Sequence, residues 1–169
     1  MKILDTRRSV REYSGKLVED KDILKIVKAA MQAPSARNQQ PWEYLVIQNQ
    51  EKKEEIASLV PAMRMARDAS FLIIFLTRKD KLTAPAYYLE DMGSTVTYAM
   101  LEARSLGIGS VWCGVAPVFE RMENVRKVFN INDEKYEPFA LVCFGYPKDE
   151  KVFTKAKRYD KKRVHYEEL

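Results

Sequence analysis

The sequence contains one long uninterrupted apolar run, Phe71-Leu72-Ile73-Ile74-Phe75-Leu76. Its 6 residues are far fewer than the roughly 20 that a helix needs to span a bilayer. With its neighbours, the run predicts a strand over 70–77 that has apolar side chains on both faces. A strand of this kind is buried on both sides, so it lies inside a sheet that other elements cover.

Helical and strand patterns alternate along the rest of the chain. Residue spacing and stop signals predict helices over 20–32, 51–60, 85–105 and 119–129. Short β-prone stretches predict the remaining strands over 42–48, 110–115 and 139–146. Helices and strands interleaved in this way predict an α+β or α/β sandwich around one sheet.

The second half of the predicted helix over 85–105 lacks a clear polar face. Apolar residues go nearly all the way round it, at Val96, Tyr98, Ala99, Met100, Leu101 and Ala103. Such a helix is buried on all sides. Two interpretations stay open: a second subunit covers one side, or this is the central core helix of a single chain.

Composition narrows the range of functions. The chain has 169 residues, about one domain's worth, and its N-terminus has no apolar stretch of signal-peptide length. Its cysteines, Cys113 and Cys143, and its one histidine, His165, are too scattered for a zinc site or a disulfide framework. We therefore expect a cytoplasmic protein without a metal. Because the usual catalytic side chains are so few, any chemistry is expected to come from a bound cofactor.

The first candidate binding cluster is Arg7-Arg8-Ser9-Val10-Arg11. Arg presents a planar fork of donors that suits phosphate, and a Ser hydroxyl adds a further donor. The net charge of +5 fits an anionic ligand or merely a solvated basic surface. A nucleic-acid surface is a third interpretation, although no helix-turn-helix, zinc or RNP pattern accompanies the cluster.

The second cluster is the segment 34–42, Pro-Ser-Ala-Arg-Asn-Gln-Gln-Pro-Trp, between a predicted helix and a predicted strand. Its prolines restrict the backbone, and its Ser, Asn and Gln side chains offer more hydrogen bonds than a turn requires. The segment is either a loop that binds the edge of a flat polar ring system or a simple helix stop and turn.

The third cluster is the segment 106–114, Leu-Gly-Ile-Gly-Ser-Val-Trp-Cys-Gly. It fails the dinucleotide fingerprint G-x-G-x-x-G, because Trp112 occupies the third glycine position and the helix precedes the glycines. What remains is Gly114, where the backbone can approach a ligand closely. Cys113 is either a nucleophile or a small buried residue.

In their order, these clusters resemble the nitroreductase family of FMN-dependent oxidoreductases. The matching stretches are 7–13, 33–42, 101–112, 145–147 and 157–159. They cover essentially the whole chain, and the first two are specific when they occur together. The sequence departs from larger family members at Ala62 and Met65, which do not supply the polar contacts made from that region. It also lacks an insertion that helps to cover the flavin.

The resemblance implies an α+β fold with a mixed sheet flanked by helices, in an interlocked homodimer. Residues 1–147 would form the FMN-binding domain. Residues 148–169 would form a C-terminal arm that packs on the domain or reaches over the partner subunit. This arrangement agrees with the interpretation that a second subunit covers the helix over 85–105.

The resemblance also implies which residues hold FMN at the subunit interface. The ribityl phosphate end would be bound by Arg7, Arg8, Ser9, Lys157 and Arg158. Arg11 would face the flavin N1/O2 edge, where a permanent cation stabilises the negative charge of the reduced ring. The ring would be lined by Pro34, Ser35, Ala36 and Asn38 of the other subunit, with Cys113 and Gly114 near N5.

The implied function is transfer of hydride from NAD(P)H, through bound FMN, to a nitroaromatic, quinone or similar acceptor by a ping-pong mechanism. An alternative is a flavin-binding protein of the same fold with different redox chemistry, such as reductive dehalogenation or flavin breakdown. Neither a nucleic-acid partner nor a membrane partner is expected.

Overall fold

The computed structural model describes residues 2–168. The helices are α1 (Lys2–Thr6), α2 (Asp20–Ala30), α3 (Gln50–Leu59), α4 (Tyr88–Ser105) and α5 (Phe119–Phe129). The strands are β1 (Trp42–Ile47), β2 (Phe71–Arg78), β3 (Gly109–Gly114) and β4 (Tyr136–Gly145). Within residues 2–168, no helix is long and apolar enough to cross a membrane.

The four strands form one sheet in the order β1-β2-β4-β3, and each neighbouring pair is antiparallel. A single parallel bridge, between Ser9 and Ser110, lies beside β3 and outside the four strands. The prediction of an α+β fold with a sheet flanked by helices is therefore confirmed, whereas the sheet is antiparallel and not mixed.

The side chains of β2 alternate between two hydrophobic cores. Phe71 and Phe75 lie in the core that includes residues of α2 and α4. Leu72 and Ile74 lie in the core that includes residues of α3 and α5. All four side chains are completely buried. The apolar run Phe71–Leu76 is thus buried on both faces, as predicted, and β2 is one of the two inner strands of the sheet.

Two element boundaries differ from the prediction for local reasons. The segment Pro85–Tyr87 forms a 3₁₀ turn, so α4 begins only at Tyr88. Strand β4 begins at Tyr136 and passes through Pro138 at an irregularity, where the register of β2 against β4 shifts. The pairing of β4 with β3 does not extend beyond Ala140. No strand therefore lies beside Pro138 on that side, where a neighbouring strand would require the N–H that proline lacks.

One side of α4 stays open in the single chain. Val96, Ala99 and Ala103 are buried, but 40% of Tyr98 is exposed. Tyr98 lines an apolar groove together with Leu4 of α1. A single chain therefore does not cover the helix on all sides, and cover by a second subunit remains a prediction.

The first part of the C-terminal arm packs on its own chain. The ring of Phe153 lies under the Arg104 guanidinium, 3.9 Å from its carbon to the ring centroid. The Ala156 N–H donates to the Asp5 carbonyl at 3.0 Å. Farther along, Tyr159 and Tyr166 are 84% and 85% exposed. The division into a domain over 1–147 and an arm over 148–169 stays a prediction.

Two glycines let the N-terminal segment lie directly on the sheet. A Cβ atom at Gly109 would stand 2.7 Å from the Val10 Cβ, and one at Gly145 would stand 2.8 Å from the Tyr13 Cδ1. Real Cβ atoms do not tolerate such distances. These contacts fix the backbone of the basic cluster between Val10 and Tyr13.

We expect Gly109→Ala to lower the free energy of unfolding by roughly 1–3 kcal/mol, because the new methyl group must displace Val10. Urea unfolding of the two proteins measures the change. Gly93→Ala in α4 is the matched control, because nothing lies within 4 Å of its added Cβ. Equal stability of wild type and Gly109→Ala would contradict the close contact with Val10.

Candidate functional site

The basic N-terminal cluster lies along the open edge of the sheet. The Val10 N–H donates to the Ser110 carbonyl, and the Ser14 N–H to the Tyr146 carbonyl, both at 2.9 Å. Val10 is 2% exposed, whereas Arg11 next to it is exposed. This alternation is that of an extended segment, so burial of Val10 directs Arg11 away from the core.

Positive side chains from both ends of the chain converge beside this segment. The pKa of Arg7 is lowered, first by partial burial and then by the positive charges of Arg158 and Arg8. A cavity of about 480 Å³ adjoins the cluster and is lined by Arg8, Lys157 and Arg158. Among residues 2–168, none of these four side chains lies within 4.0 Å of a carboxylate oxygen. Asp5 also lines the cavity, but its carboxylate pairs with Lys155 at 3.6 Å, so the cluster carries an excess of positive charge.

Arg8 also ties the arm to the N-terminus. Its Nη1 donates to the Arg7 carbonyl at 2.6 Å, and its Nη2 donates to the carbonyl of Thr154. The hydroxyl of Ser9 is exposed beside them. The structure thus brings together Arg7, Arg8, Ser9, Lys157 and Arg158, the residues that the resemblance assigns to the phosphate end.

Arg11 lies farther along the segment. It lines a cavity of about 720 Å³ that opens between the N-terminal segment and residues 147–149. The pKa of Cys113 is lowered, chiefly by a hydrogen bond with the Cys143 thiol, while burial opposes this. The charges of Arg11 and Arg121 lower it further. Two guanidinium groups therefore act on the Cys113–Gly114 corner.

The side chain and the backbone of this corner face different surroundings. Cys113 is buried, and its sulfur lies 3.8 Å from the Met65 sulfur inside the core. Gly114 is exposed, and a Cβ atom there would meet nothing within 4 Å. The accessible surface at this corner belongs to the Gly114 backbone. A ligand would therefore contact the Gly114 peptide and not the Cys113 thiol.

Arg121 is a residue of this corner that sequence reasoning missed. It lies in the third position of α5 and donates from Nη1 to the Gly114 carbonyl at 3.0 Å. In the sequence it is one of several charged residues on an amphipathic helix, and no local signal distinguishes it. Only the chain path after β3 brings α5 back to Gly114.

The second predicted cluster, the loop 34–42, is held in an unusual backbone conformation. Arg37, Asn38 and Gln40 have φ angles of 50°, 54° and 44°, in the left-handed region that side chains disfavour. The Ser35 hydroxyl accepts from the Gln40 N–H at 3.0 Å, which closes the turn. A simple helix stop would not require three such residues, so this loop is a specifically shaped structure.

Asp91 anchors this loop from α4. It is 4% exposed, and its Oδ1 accepts from the Ala36 N–H at 2.8 Å. Its Oδ2 accepts from Gln39 Nε2 at 2.5 Å, and Gln39 Oε1 in turn accepts from the Ala84 N–H at 2.8 Å. Sequence reasoning missed this carboxylate. In the sequence Asp91 is one of three acidic residues of α4 and follows Glu90 directly, so no local signal distinguishes it as the buried carboxylate that needs partners.

The contacts of this loop run to α4 and to Ala84, whereas those of the N-terminal cluster run to β3, β4 and the arm. Pro34, Ser35, Ala36 and Asn38 were predicted to serve the site of the other subunit. That role stays a prediction.

Comparison with known proteins identifies the family of this chain. The nitroreductase family model matches residues 4–63 and 60–146. The chain belongs to the nitroreductase family. The resemblance predicted from the sequence is therefore confirmed. The matched ranges include the N-terminal cluster, the loop 34–42 and the Cys113–Gly114 corner.

Individual known proteins match nearly the full length of the chain. A protein of Archaeoglobus fulgidus, provisionally named NADH dehydrogenase/NAD(P)H nitroreductase, is 41% identical over 99% of this chain and 97% of its own. A Clostridium acetobutylicum structure, provisionally described as an NADH oxidase, superposes with a TM-score of 0.94 at 35% identity, over 99% of both chains. An FMN-dependent nitroreductase of Clostridium difficile R20291 gives a TM-score of 0.87 at 27% identity, over 99% of this chain and 98% of its own.

We expect Asp91→Asn to loosen the loop 34–42. An amide keeps one acceptor for Ala36 but turns an NH₂ group toward the NH₂ group of Gln39, which costs about 1–3 kcal/mol of stability. Faster hydrogen exchange at the Ala36 amide and a lower free energy of unfolding measure the effect. Glu90→Gln, at the neighbouring exposed position, is the control and should change neither. Unchanged exchange at Ala36 in Asp91→Asn would show that Asp91 does not hold the loop.

Proposed function

We propose that this chain is an FMN-dependent oxidoreductase that passes hydride from NAD(P)H to a small-molecule acceptor. The observation that carries the proposal is the convergence of Arg7, Arg8 and Arg158 without a carboxylate partner within residues 2–168. Membership of the nitroreductase family supports it. So do the descriptions of the Clostridium difficile protein as FMN-dependent and of the Archaeoglobus fulgidus relative as an NAD(P)H nitroreductase.

The phosphate end of FMN fits the charge of the cluster. A phosphate monoester carries close to two negative charges at neutral pH. It would compensate the repulsion by Arg158 and Arg8, which, after partial burial, lowers the pKa of Arg7. Arg7, Arg8 and Arg158 supply bidentate donors, Lys157 a point charge and Ser9 a hydroxyl. The Arg8 guanidinium is held in a defined orientation, because two of its N–H groups already donate hydrogen bonds to the Arg7 and Thr154 carbonyls.

The ring end of FMN fits Arg11 and the Cys113–Gly114 corner. Arg11 stays protonated and would hold positive charge near N1/O2, and the Gly114 N–H would be available near N5. When bound, FMN accepts hydride from NAD(P)H and passes it to the acceptor, so the protein needs no nucleophile of its own. Arg121 orients the Gly114 peptide from the protein side. The role of these residues is to bind and to hold charge in place.

We propose that the functional unit is a homodimer. The open side of α4 presents Tyr98 to a groove of about 480 Å³ with Ile3, Leu4 and Leu101, an apolar surface of the kind that subunits cover. The exposed aromatic residues of the arm, Tyr159 and Tyr166, would find cover on the partner. The loop 34–38 would then contribute Pro34, Ser35, Ala36 and Asn38 to the flavin site of the other subunit.

Planar acceptors such as nitroaromatics and quinones fit the surroundings of Gly114. Trp112 precedes it on the same exposed side of β3, is 37% exposed, and packs edge-on against Phe139 with centroids 5.8 Å apart. An aromatic side chain in this place favours a flat apolar molecule over a polar chain. Reductant and acceptor would reach this one open surface in turn, so we propose ping-pong turnover.

The spectrum of the purified protein tests the proposal. After incubation with FMN and gel filtration, we expect a yellow protein whose flavin absorption bleaches anaerobically with NADH or NADPH. A protein that stays colourless would overturn the FMN assignment. Flavin that is retained but not reduced by either dinucleotide would overturn the NAD(P)H activity and favour other flavin chemistry on the same fold.

Variants of Arg8 and Arg11 separate the two ends of the flavin. Arg8→Ala should raise the dissociation constant for FMN at least about tenfold, the effect of one lost charge-assisted contact. Arg11→Gln should instead lower the flavin reduction potential by about 30 mV or more, because the reduced ring loses its cation. Fluorescence titration and redox titration measure these changes.

Lys127→Ala, on the exposed side of α5, is the charge control for both measurements. Wild-type flavin affinity in Arg8→Ala would refute the phosphate assignment. An unchanged potential in Arg11→Gln would remove Arg11 from the ring edge.

A further inference from the structure

A second cavity lies beside the candidate flavin site. It has a volume of about 640 Å³, within the range of small-molecule sites. It shares Arg11, Glu12 and Lys148 with the 720 Å³ cavity described above. The far wall of this cavity is formed by α3 and the 3₁₀ segment Pro61–Asp68. None of the residues proposed to bind FMN lies on that wall.

Four cations from four separate segments line this cavity, namely Arg11, Lys53, Arg67 and Lys148. Its acidic lining residues are Glu12 and Asp68, so the formal charge of the lining is positive. In the described part of the chain, none of the four cations has a carboxylate oxygen within 4.0 Å. Cations that converge without partners on a concave surface mark a place for an anion.

Lys53 makes the cavity more than a patch of solvated charge. It is 4% exposed, and its Nζ donates to the Ala69 carbonyl at 2.7 Å and to the Ser70 carbonyl at 3.4 Å. An ammonium group has three protons, so these two carbonyls leave one donor. Burying an ammonium group without a carboxylate is costly, and an anion in the cavity would offset that cost.

The chemistry of the lining favours a group with several acceptor oxygens. A single carboxylate has two oxygens and could not serve four cations placed on different walls. A diphosphate carries more charge and more oxygens, and it binds Arg in the bidentate manner. Gln50, whose Nε2 donates to the Arg67 carbonyl at 3.0 Å, fixes the backbone next to one of these cations.

We propose that this cavity binds a diphosphate group and that the reduced nicotinamide dinucleotide supplies it. The proposal rests on the function proposed above, since Arg11, which is proposed to face the flavin ring edge, also lines this cavity. A dinucleotide whose reactive ring lies beside Arg11 would then be held by its diphosphate at Lys53, Arg67 and Lys148.

Arg67→Gln in the FMN-loaded protein tests the proposal. We expect KM for NADH to rise roughly fivefold with kcat unchanged, as for the loss of one exposed charged contact. Calorimetric titration of the same loaded protein with inorganic pyrophosphate should show a dissociation constant raised by roughly the same factor. Lys148→Gln should have the same effects, which makes the test independent of any one residue.

Arg64→Gln is the matched control, because Arg64 lies on the same 3₁₀ segment, is exposed and does not line the cavity. It should change neither constant. Wild-type KM and wild-type pyrophosphate affinity in both Arg67→Gln and Lys148→Gln would overturn the proposal.

Competition identifies the source of the diphosphate. Pyrophosphate that raises KM for NADH without lowering kcat occupies the dinucleotide subsite and supports the proposal. Pyrophosphate that binds through Arg67 without affecting KM would assign the cavity to a free phosphorylated compound and overturn the dinucleotide assignment. Failure of the protein to bind FMN would refute the proposed function, whereas Arg67-dependent binding of pyrophosphate would still be measurable.

Discussion

The contact between the extended N-terminal segment and the sheet positions the basic residues of the candidate site. Val10 and Tyr13 lie so close to Gly109 and Gly145 that a Cβ atom on either glycine would overlap them. Tyr13 also donates its hydroxyl to the Val10 carbonyl at 2.9 Å, which closes the segment on itself. Because these buried side chains alternate with exposed ones, their packing determines where Arg11 and its neighbours stand. Tight packing of this segment on the sheet thus fixes the positions of its charged side chains.

The site places uncompensated charge where a folded protein ordinarily avoids it. Arg7, Arg8 and Arg158 repel one another, and Lys53 is buried among carbonyl groups. Both arrangements cost stability in the free protein, and both become favourable when an anion is bound. Binding free energy and folding free energy are therefore coupled, so occupancy by anionic ligands should contribute to the stability of the whole protein. The dispersed ion pairs elsewhere on the surface have no such connection to ligand.

The proposed ring end of the flavin site differs from the proposed phosphate end in the kind of atoms that surround it. Cys113, Cys143 and Met65 form a group of sulfur atoms behind the corner, and the pKa of Cys143 is raised well above its usual value by its interaction with Cys113 and by burial. The polar groups near this corner are peptide groups and two guanidinium groups, Arg11 and Arg121. A polarisable apolar backing with fixed cations at its rim stabilises negative charge without offering a competing acid or nucleophile. This composition suits chemistry that a cofactor performs.

Sequence alone determined the central strand, the succession of helices and strands, and the membership of the basic cluster, because apolar runs, prolines and neighbouring arginines are local signals. It also identified Gly114 as an exposed approach point. Only the tertiary structure decided that Asp91 holds Ala36 across 55 residues and that Arg121 reaches Gly114. Each of these residues is ordinary in its own helix. Asp91 meets Ala36 only after the layers have packed, and Arg121 meets Gly114, 7 residues away, only because the chain turns back after β3. Long-range contacts of single polar side chains leave no periodic pattern, and that is why they could not be predicted from the sequence.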